Sequence, residues 1–125
     1  MKIYTSYFGN LQKIQRAGIV PISVSLWPPK WYSGLRMPEL APEKLFINWP
    51  EQHYKPKYQE KLDKLNAKEV LKKIIQLSGG KDVAICCYEK PNEFCHRQMI
   101  ADWLRSETGE PVEEFGLVLK KQELF

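Results

Sequence analysis

Residues 82–88 read DVAICCY. Val83, Ala84, Ile85, Cys86 and Cys87 are apolar on both parities of the chain. A strand with one wet face alternates with period two. A strand without alternation is covered on both faces, which is the condition of a parallel sheet flanked by helices. The stretch therefore predicts a central strand in an α/β fold.

Working outward, Ser78-Gly79-Gly80 stops a helix whose stripe is Ala67, Val70, Leu71, Ile74 and Ile75, with lysines opposite. Asn66 and Glu69 form a capping-box-like pair at its start. A helix is expected before it over 56–65, with Pro56 near the first turn. KIYTSYF (2–8) predicts a first strand. Asn10 is placed to cap a short helix carrying Leu11, Ile14 and Ala17 and ending at Gly18. VPISVSLW (20–27) alternates Ile22, Val24 and Leu26 with Ser23, Ser25 and Trp27, a second strand ended by Pro28-Pro29. Asn92 is expected to cap a helix running to about 106, and VEEFGLVL (112–119) to supply a last strand. The order βαβ, insertion, ααβαβ predicts that residues 1–125 form a single three-layer domain with a mainly parallel sheet and flanking helices. The insertion, 28–53, holds prolines and aromatics without a period. A connection this long is usually functional or disordered, and its aromatics favour a packed, irregular one.

The chain of 125 residues carries a net charge of +4. That permits a nucleic-acid or phosphate partner without demanding one. No apolar run approaches the ~20 residues of a membrane helix. MKIYTSYFG at the N-terminus has neither an apolar h-region nor a small-residue cleavage site. The expectation is a cytoplasmic protein with no membrane partner. Its three cysteines lie within ten positions, an odd count that fits reduced thiols better than a disulfide framework.

The central strand runs straight into CCYEKPNEFCHRQMIADWL (86–104). Ligands of parallel α/β sheets sit beyond the carboxyl ends of the strands. Those ends are Ser6-Tyr7, Ser25-Leu26-Trp27-Pro28 and Cys87-Tyr88-Glu89. With Asn92 as the cap, Cys95, His96 and Arg97 occupy the first turn. Backbone N–H groups there favour anions and lower a thiol's pKa. His and Arg carry the wrong sign for that helix end, which points to an anion that both contact. Three readings stand. The cysteines are small apolar core residues, the natural account of Cys86. Or Cys87, Cys95 and His96 hold a metal, although their spacing matches none of the usual short CxxC pairs. Or the motif is a thiol or anion site, with Cys95 as nucleophile, His96 as acid/base and Arg97 as a bidentate clamp.

The same residues carry a resemblance. CYEKPNEFCHRQMIADWL is similar to the C-terminal signature of the family catalogued as domain of unknown function 488, through Cys87, Glu89, Cys95, His96, Arg97, Ile100 and Ala101. IYTSYFGNLQKI, Pro28-Pro29-Lys30-Trp31-Tyr32 with Gly34, Leu40-Ala41-Pro42 and LSGGKDVAICCYEK resemble one subgroup of that family, found in bacteria and their viruses. Larger members have an Asp-Val-Arg type sequence at the end of the second strand. Here Ser23-Val24-Ser25 stands in its place, so the resemblance does not bring a carboxylate-plus-arginine mechanism with it.

Trp27, Trp31, Tyr32, Phe46, Trp49, Tyr54 and Tyr58 interleave with Lys30, Arg36, Lys44, Lys55 and Lys57. Bases stack on aromatics while cations hold phosphates, so the mixture suits a nucleotide or a single strand. Anchoring of the insertion over the sheet is the simpler account of Phe46 and Trp49, and His53 reads as a surface histidine. The expected pocket has a floor of Tyr4, Ser6, Ser23 and Ser25, a wall of Cys87, Glu89, Cys95, His96 and Arg97, and a lid from Trp27 to Tyr32. The catalytic candidates are Cys95, His96, Glu89 and Cys87. The ligand-binding candidates are Arg97, Ser6, Ser25, Trp27, Lys30 and Trp31. Neither a metal nor a cofactor is expected. The ligand would be an anionic, nucleotide-like small molecule, with hydrolysis or group transfer as the reaction and Glu89 or His96 as acid/base. The alternative is a non-catalytic nucleic-acid-binding accessory protein working through the basic aromatic insertion.

Overall fold

A computed structural model describes residues 1–88 and 95–116. Five strands, β1 (Ile3–Tyr7), β2 (Val20–Ser23), β3 (Leu35–Arg36), β4 (Val83–Cys87) and β5 (Val112–Glu114), form one sheet in the order β3-β2-β4-β1-β5. Every pairing is parallel. The α-helices among the described residues are α1 (Leu11–Arg16), α2 (Glu51–Asp63), α3 (Ala67–Ser78) and α4 (His96–Thr108). The apolar run at 83–87 is the central strand, buried at every position. Val83, Ile85 and Cys87 face the core beneath α2, α3 and α4. Ala84 and Cys86 face a smaller cluster with Phe8, Ile14, Ile19 and Tyr32 on the α1 side. The α/β expectation holds, with helices on both faces of the sheet.

Local chemistry explains most boundaries. The Asn66 side chain accepts the Glu69 N–H at 3.1 Å, and Gly79 takes a left-handed φ of 65° to end α3. The strand β2 is shorter than the alternation over 20–27 implies. Val24 still donates its N–H to Cys86 O at 3.1 Å, but the Ser23 hydroxyl then accepts the Ser25 N–H at 3.3 Å. A serine side chain thus competes with the ladder and turns the chain before Pro28 is reached. Asn10 stands at the N-cap position of α1, as expected, but its side chain makes no capping bond. A 3-10 turn, Phe8–Asn10, leads into that helix, and the Asn10 amide donates to Ser6 Oγ at 3.3 Å.

The helix α2 starts at Glu51 rather than 56, so Pro56 lies inside it. Proline removes one N–H, and the carbonyl it would have bonded belongs to Gln52, an exposed residue of the first turn. Tyr54, Tyr58 and Leu62 recur four residues apart and bury one face of the helix. At the other end of the chain, α4 begins at His96, with Cys95 as its N-cap in extended geometry (φ −145°, ψ 148°). Asn92, expected as that cap, lies outside the described residues, as does the part of 112–119 beyond Gly116.

The insertion is packed. Tyr58 and Lys61 of α2 donate to the carbonyls of Leu40 and Ala41, and the Tyr32 hydroxyl donates to Leu35 O at 2.6 Å. Among the described residues no helix is long and apolar enough to cross a membrane.

Candidate active site

Beyond the carboxyl ends of β2 and β4 lies a cleft of about 190 Å³. It is lined by Ser25, Leu26, Trp27, Pro42, Ile47, Trp49, Glu51, Tyr54, Tyr88, Cys95 and His96. That volume is below the roughly 300–1,000 Å³ of sites for drug-sized ligands. Rings dominate its rim. Trp27 is 57% exposed and Tyr88 51%, so both rings present free faces at the mouth of the cleft. The Tyr88 hydroxyl donates to Trp27 O at 2.6 Å, tying the residue after β4 to the loop after β2.

His96 and Cys95 form the inner end of the cleft. His96 Nε2 lies 2.6 Å from Val24 O, and Nδ1 lies 3.5 Å from Cys95 Sγ. A carbonyl only accepts, so Nε2 carries the proton and the Nδ1 lone pair faces sulfur. Burial pushes the imidazole down from 6.5 to about 4; the Val24 carbonyl opposes that fall, while the charges of Arg97 and Lys61 add to it. The ring is therefore neutral near physiological pH. Tyr58 packs its edge against the imidazole at 5.3 Å and holds its plane.

Behind this pair, Cys87 and Cys95 are joined as a disulfide, with Cα atoms 7.2 Å apart. The expectation of three reduced thiols is corrected here: the end of β4 and the start of α4 bring two of them together. Cys86 alone is free, and burial pushes its thiol up to about 12. Arg97 is fully buried beneath α4. Its Nε donates to Glu114 Oε1 at 3.0 Å, Nη2 to Glu114 Oε2 at 3.2 Å and Nη1 to Cys87 Sγ at 2.9 Å. Thr5 Oγ1 donates to Glu114 Oε1 at 2.7 Å. The guanidinium thus points into the protein rather than towards the cleft, because the β5 carboxylate neutralises it there.

The alternation of strand side chains divides the expected site residues. Ser25, Trp27, Cys95 and His96 line the cleft, and Cys87 is bonded to Cys95 beneath it. Ser6 is buried in register with Cys86 on the α1 side, and Ser23 pairs with Cys86 from the other neighbour. Tyr4 packs edge-on against Phe115 on that same side. Trp31, 62% exposed, packs edge-on against Phe8 at 6.4 Å, also on that side. Lys30 is exposed and takes no part in the lining. Glu89 lies outside the described residues.

Glu51, Tyr88 and Glu114 were not among the expected site residues. Tyr88 follows the central strand directly, a signal available in the sequence. Glu51 and Glu114 had none, because each reaches the site through long-range packing.

No curated protein and no solved structure matches the chain. The family model described as "Active DUF488-N3 subclade" matches residues 11–108, which span α1 to α4 and the whole cleft lining, and the chain belongs to this family.

Proposed function

We propose that the chain is a hydrolase or group-transfer enzyme acting on a nucleotide-like ligand whose base lies in the cleft. The observation that carries this reading is the meeting of an exposed aromatic rim with the Cys95–His96 pair beyond the strand ends. Rings on the rim offer stacking surfaces for a base. The Nδ1 lone pair offers a proton acceptor, and the adjacent sulfur, once the Cys87–Cys95 bond is reduced, offers a nucleophile or ligand group. Among the described residues the lining holds one carboxylate, Glu51, and no lysine or arginine. Recognition through the ring of a base or nucleoside therefore has more support than a phosphate clamp. The wording "active" in the family description is in keeping with a catalytic role.

The basic aromatic insertion has less support as a nucleic-acid surface. Phe46, Tyr54 and Tyr58 are buried; Phe46 packs edge-on against Tyr54 at 5.3 Å, and Tyr54 stacks on Tyr58 at 5.9 Å. The test is a screen of nucleosides, bases and N-glycosides by ligand-observed NMR and product analysis. Wild type is expected to bind and turn over one class, with Cys95→Ser and His96→Gln retaining binding but losing turnover. A chain that binds none of them, or a Cys95→Ser variant with full turnover, would sink the reading.

A further inference from the structure

Cys87 Sγ, Cys95 Sγ and a ring nitrogen of His96 lie within 4.8 Å of one another, and all three residues are buried. The same three residues are one of the readings of the sequence, although their spacing matches none of the usual short CxxC pairs. The fold creates the cluster by placing the end of β4 against the start of α4.

We propose that in the dithiol state these three residues bind a divalent zinc ion through Cys87 Sγ, Cys95 Sγ and His96 Nδ1. The fourth position would open to the cleft. Two thiolates and an imidazole are a borderline-soft donor set that zinc favours, and three protein ligands with one open position are the pattern of catalytic rather than structural zinc.

The surroundings support this in three independent ways. A metal-binding histidine commonly donates its other ring N–H to a carbonyl or carboxylate, and His96 Nε2 meets Val24 O at 2.6 Å. Arg97 Nη1 donates to Cys87 Sγ at 2.9 Å, the type of bond that steadies a ligating thiolate. The Cα atoms of Cys87 and Cys95 stand 7.2 Å apart. Disulfides usually hold Cα atoms roughly 4.4–6.8 Å apart, so this pair is spaced beyond the usual disulfide range. Charge also balances. A dication neutralises two thiolates, and Glu114 neutralises Arg97, so the buried cluster carries no net charge.

The sulfurs are bonded to each other in this structure, so metal uptake follows reduction. Two molecules of a low-molecular-weight thiol become one disulfide, the Cys87–Cys95 bond becomes two thiols, and the entering metal displaces two protons to solvent. Such an ion would polarise a ligand atom or acidify a water at the cleft's inner end. That use rests on the function proposed above; the binding itself does not.

The experiment uses the full chain, reduced with a phosphine and stripped of metal. It is titrated with cobalt(II), and zinc is measured by elemental analysis after desalting. The expected result is one ion per chain and a thiolate-to-cobalt charge-transfer band that zinc bleaches. Cys95→Ser and His96→Gln should each weaken cobalt binding by more than the roughly 10–100-fold typical of outer-shell changes. Circular dichroism confirms that each variant is folded, and wild type alone already decides the matter. A reduced, folded wild type that takes up no metal overturns the proposal, as does a charge-transfer band that survives Cys95→Ser. A reduced, folded wild type that takes up no metal yet turns over a nucleoside in chelator sinks the metal site and leaves the proposed function standing. Stoichiometric metal without nucleoside binding does the reverse.

Discussion

Arg97 and Glu114 meet edge to edge, Nε to Oε1 at 3.0 Å and Nη2 to Oε2 at 3.2 Å, with the arginine side chain wholly out of water. The pair joins the first turn of α4 to the edge strand β5, and its fork geometry fixes the direction of Nη1 towards Cys87. Such a pair adds little net stability over an apolar replacement, yet breaking it strands a buried charge. Glu114→Gln should therefore destabilise the fold by about 3–5 kcal/mol in urea denaturation. Thr5→Val, which removes only a hydroxyl donor, should lose about 1 kcal/mol. A Glu114→Gln variant as stable as wild type would show that the carboxylate does not hold the guanidinium in place.

Tyr32 fastens the insertion from the other face of the sheet. Burial, with a smaller contribution from the Cys86 charge, pushes its phenol up from 10 to about 12. The sign follows directly. The unfolded chain releases this proton near 10 and the folded chain near 12. The contribution is fully present below the lower value and is lost as pH rises through the upper one. Tyr32→Phe should remove that alkaline loss and lower stability near neutral pH by about 1 kcal/mol, the worth of the bond to Leu35 O. Gly34→Ala should act on the same contact, since an added Cβ would lie 2.6 Å from the Tyr32 hydroxyl. Stability curves measured against pH for wild type and Tyr32→Phe check both points; curves that stay parallel above pH 10 would exclude Tyr32 as the cause.

Residues 83–87 declared a central strand because both parities are apolar, and Asn66 with Gly79 marked α3 at both ends, because caps and left-handed turns depend on local chemistry. The meeting of Cys95, His96, Ser25 and Trp27 beyond the strand ends also followed from strand order alone. What failed to show was non-local or finely balanced. Asn92 carries a better capping side chain than Cys95, yet α4 starts one residue after Cys95, whose N–H donates to Gln98 Oε1 at 2.8 Å. Parity put Ser6 and Ser23 on the wrong face for the cleft, a distinction that needs the register with β4. Arg97 read as an anion clamp because its partner, Glu114, arrives on β5 from seventeen residues away. No local pattern marks that partner.

Trp27 offers the cleanest test of the cleft. Its ring is largely exposed, and its hydrogen bond with Tyr88 uses the backbone carbonyl, which mutation leaves in place. Trp27→Ala should leave urea stability within about 0.5 kcal/mol. It should weaken nucleoside binding by about 1–3 kcal/mol, the range for one base–aromatic stack. Tyr88→Phe should have a smaller effect by releasing the rim from Trp27 O. Calorimetric titration of both variants measures this, and undiminished affinity in Trp27→Ala would place the ligand elsewhere.

The three cysteines should separate by reactivity once the disulfide is reduced. Cys86 is wholly buried and its thiol is pushed up to about 12, so it has almost no thiolate near neutral pH and no path to solvent. Cys95 lines the cleft with the His96 Nδ1 lone pair 3.5 Å from its sulfur, a proton acceptor in place. In the reduced, metal-free chain iodoacetamide should label Cys95 first, and His96→Gln should slow that reaction, because the amide accepts a hydrogen bond without taking the proton. Cys87, held under α4 by Arg97, should follow, and Cys86 should stay unlabelled until the chain unfolds. Peptide mass mapping against time gives the order. Labelling of Cys86 as fast as Cys95 in folded protein would mean that the central strand opens readily. Equal rates for wild type and His96→Gln would remove the imidazole from any role in activating the thiol, leaving ligation as its remaining chemistry.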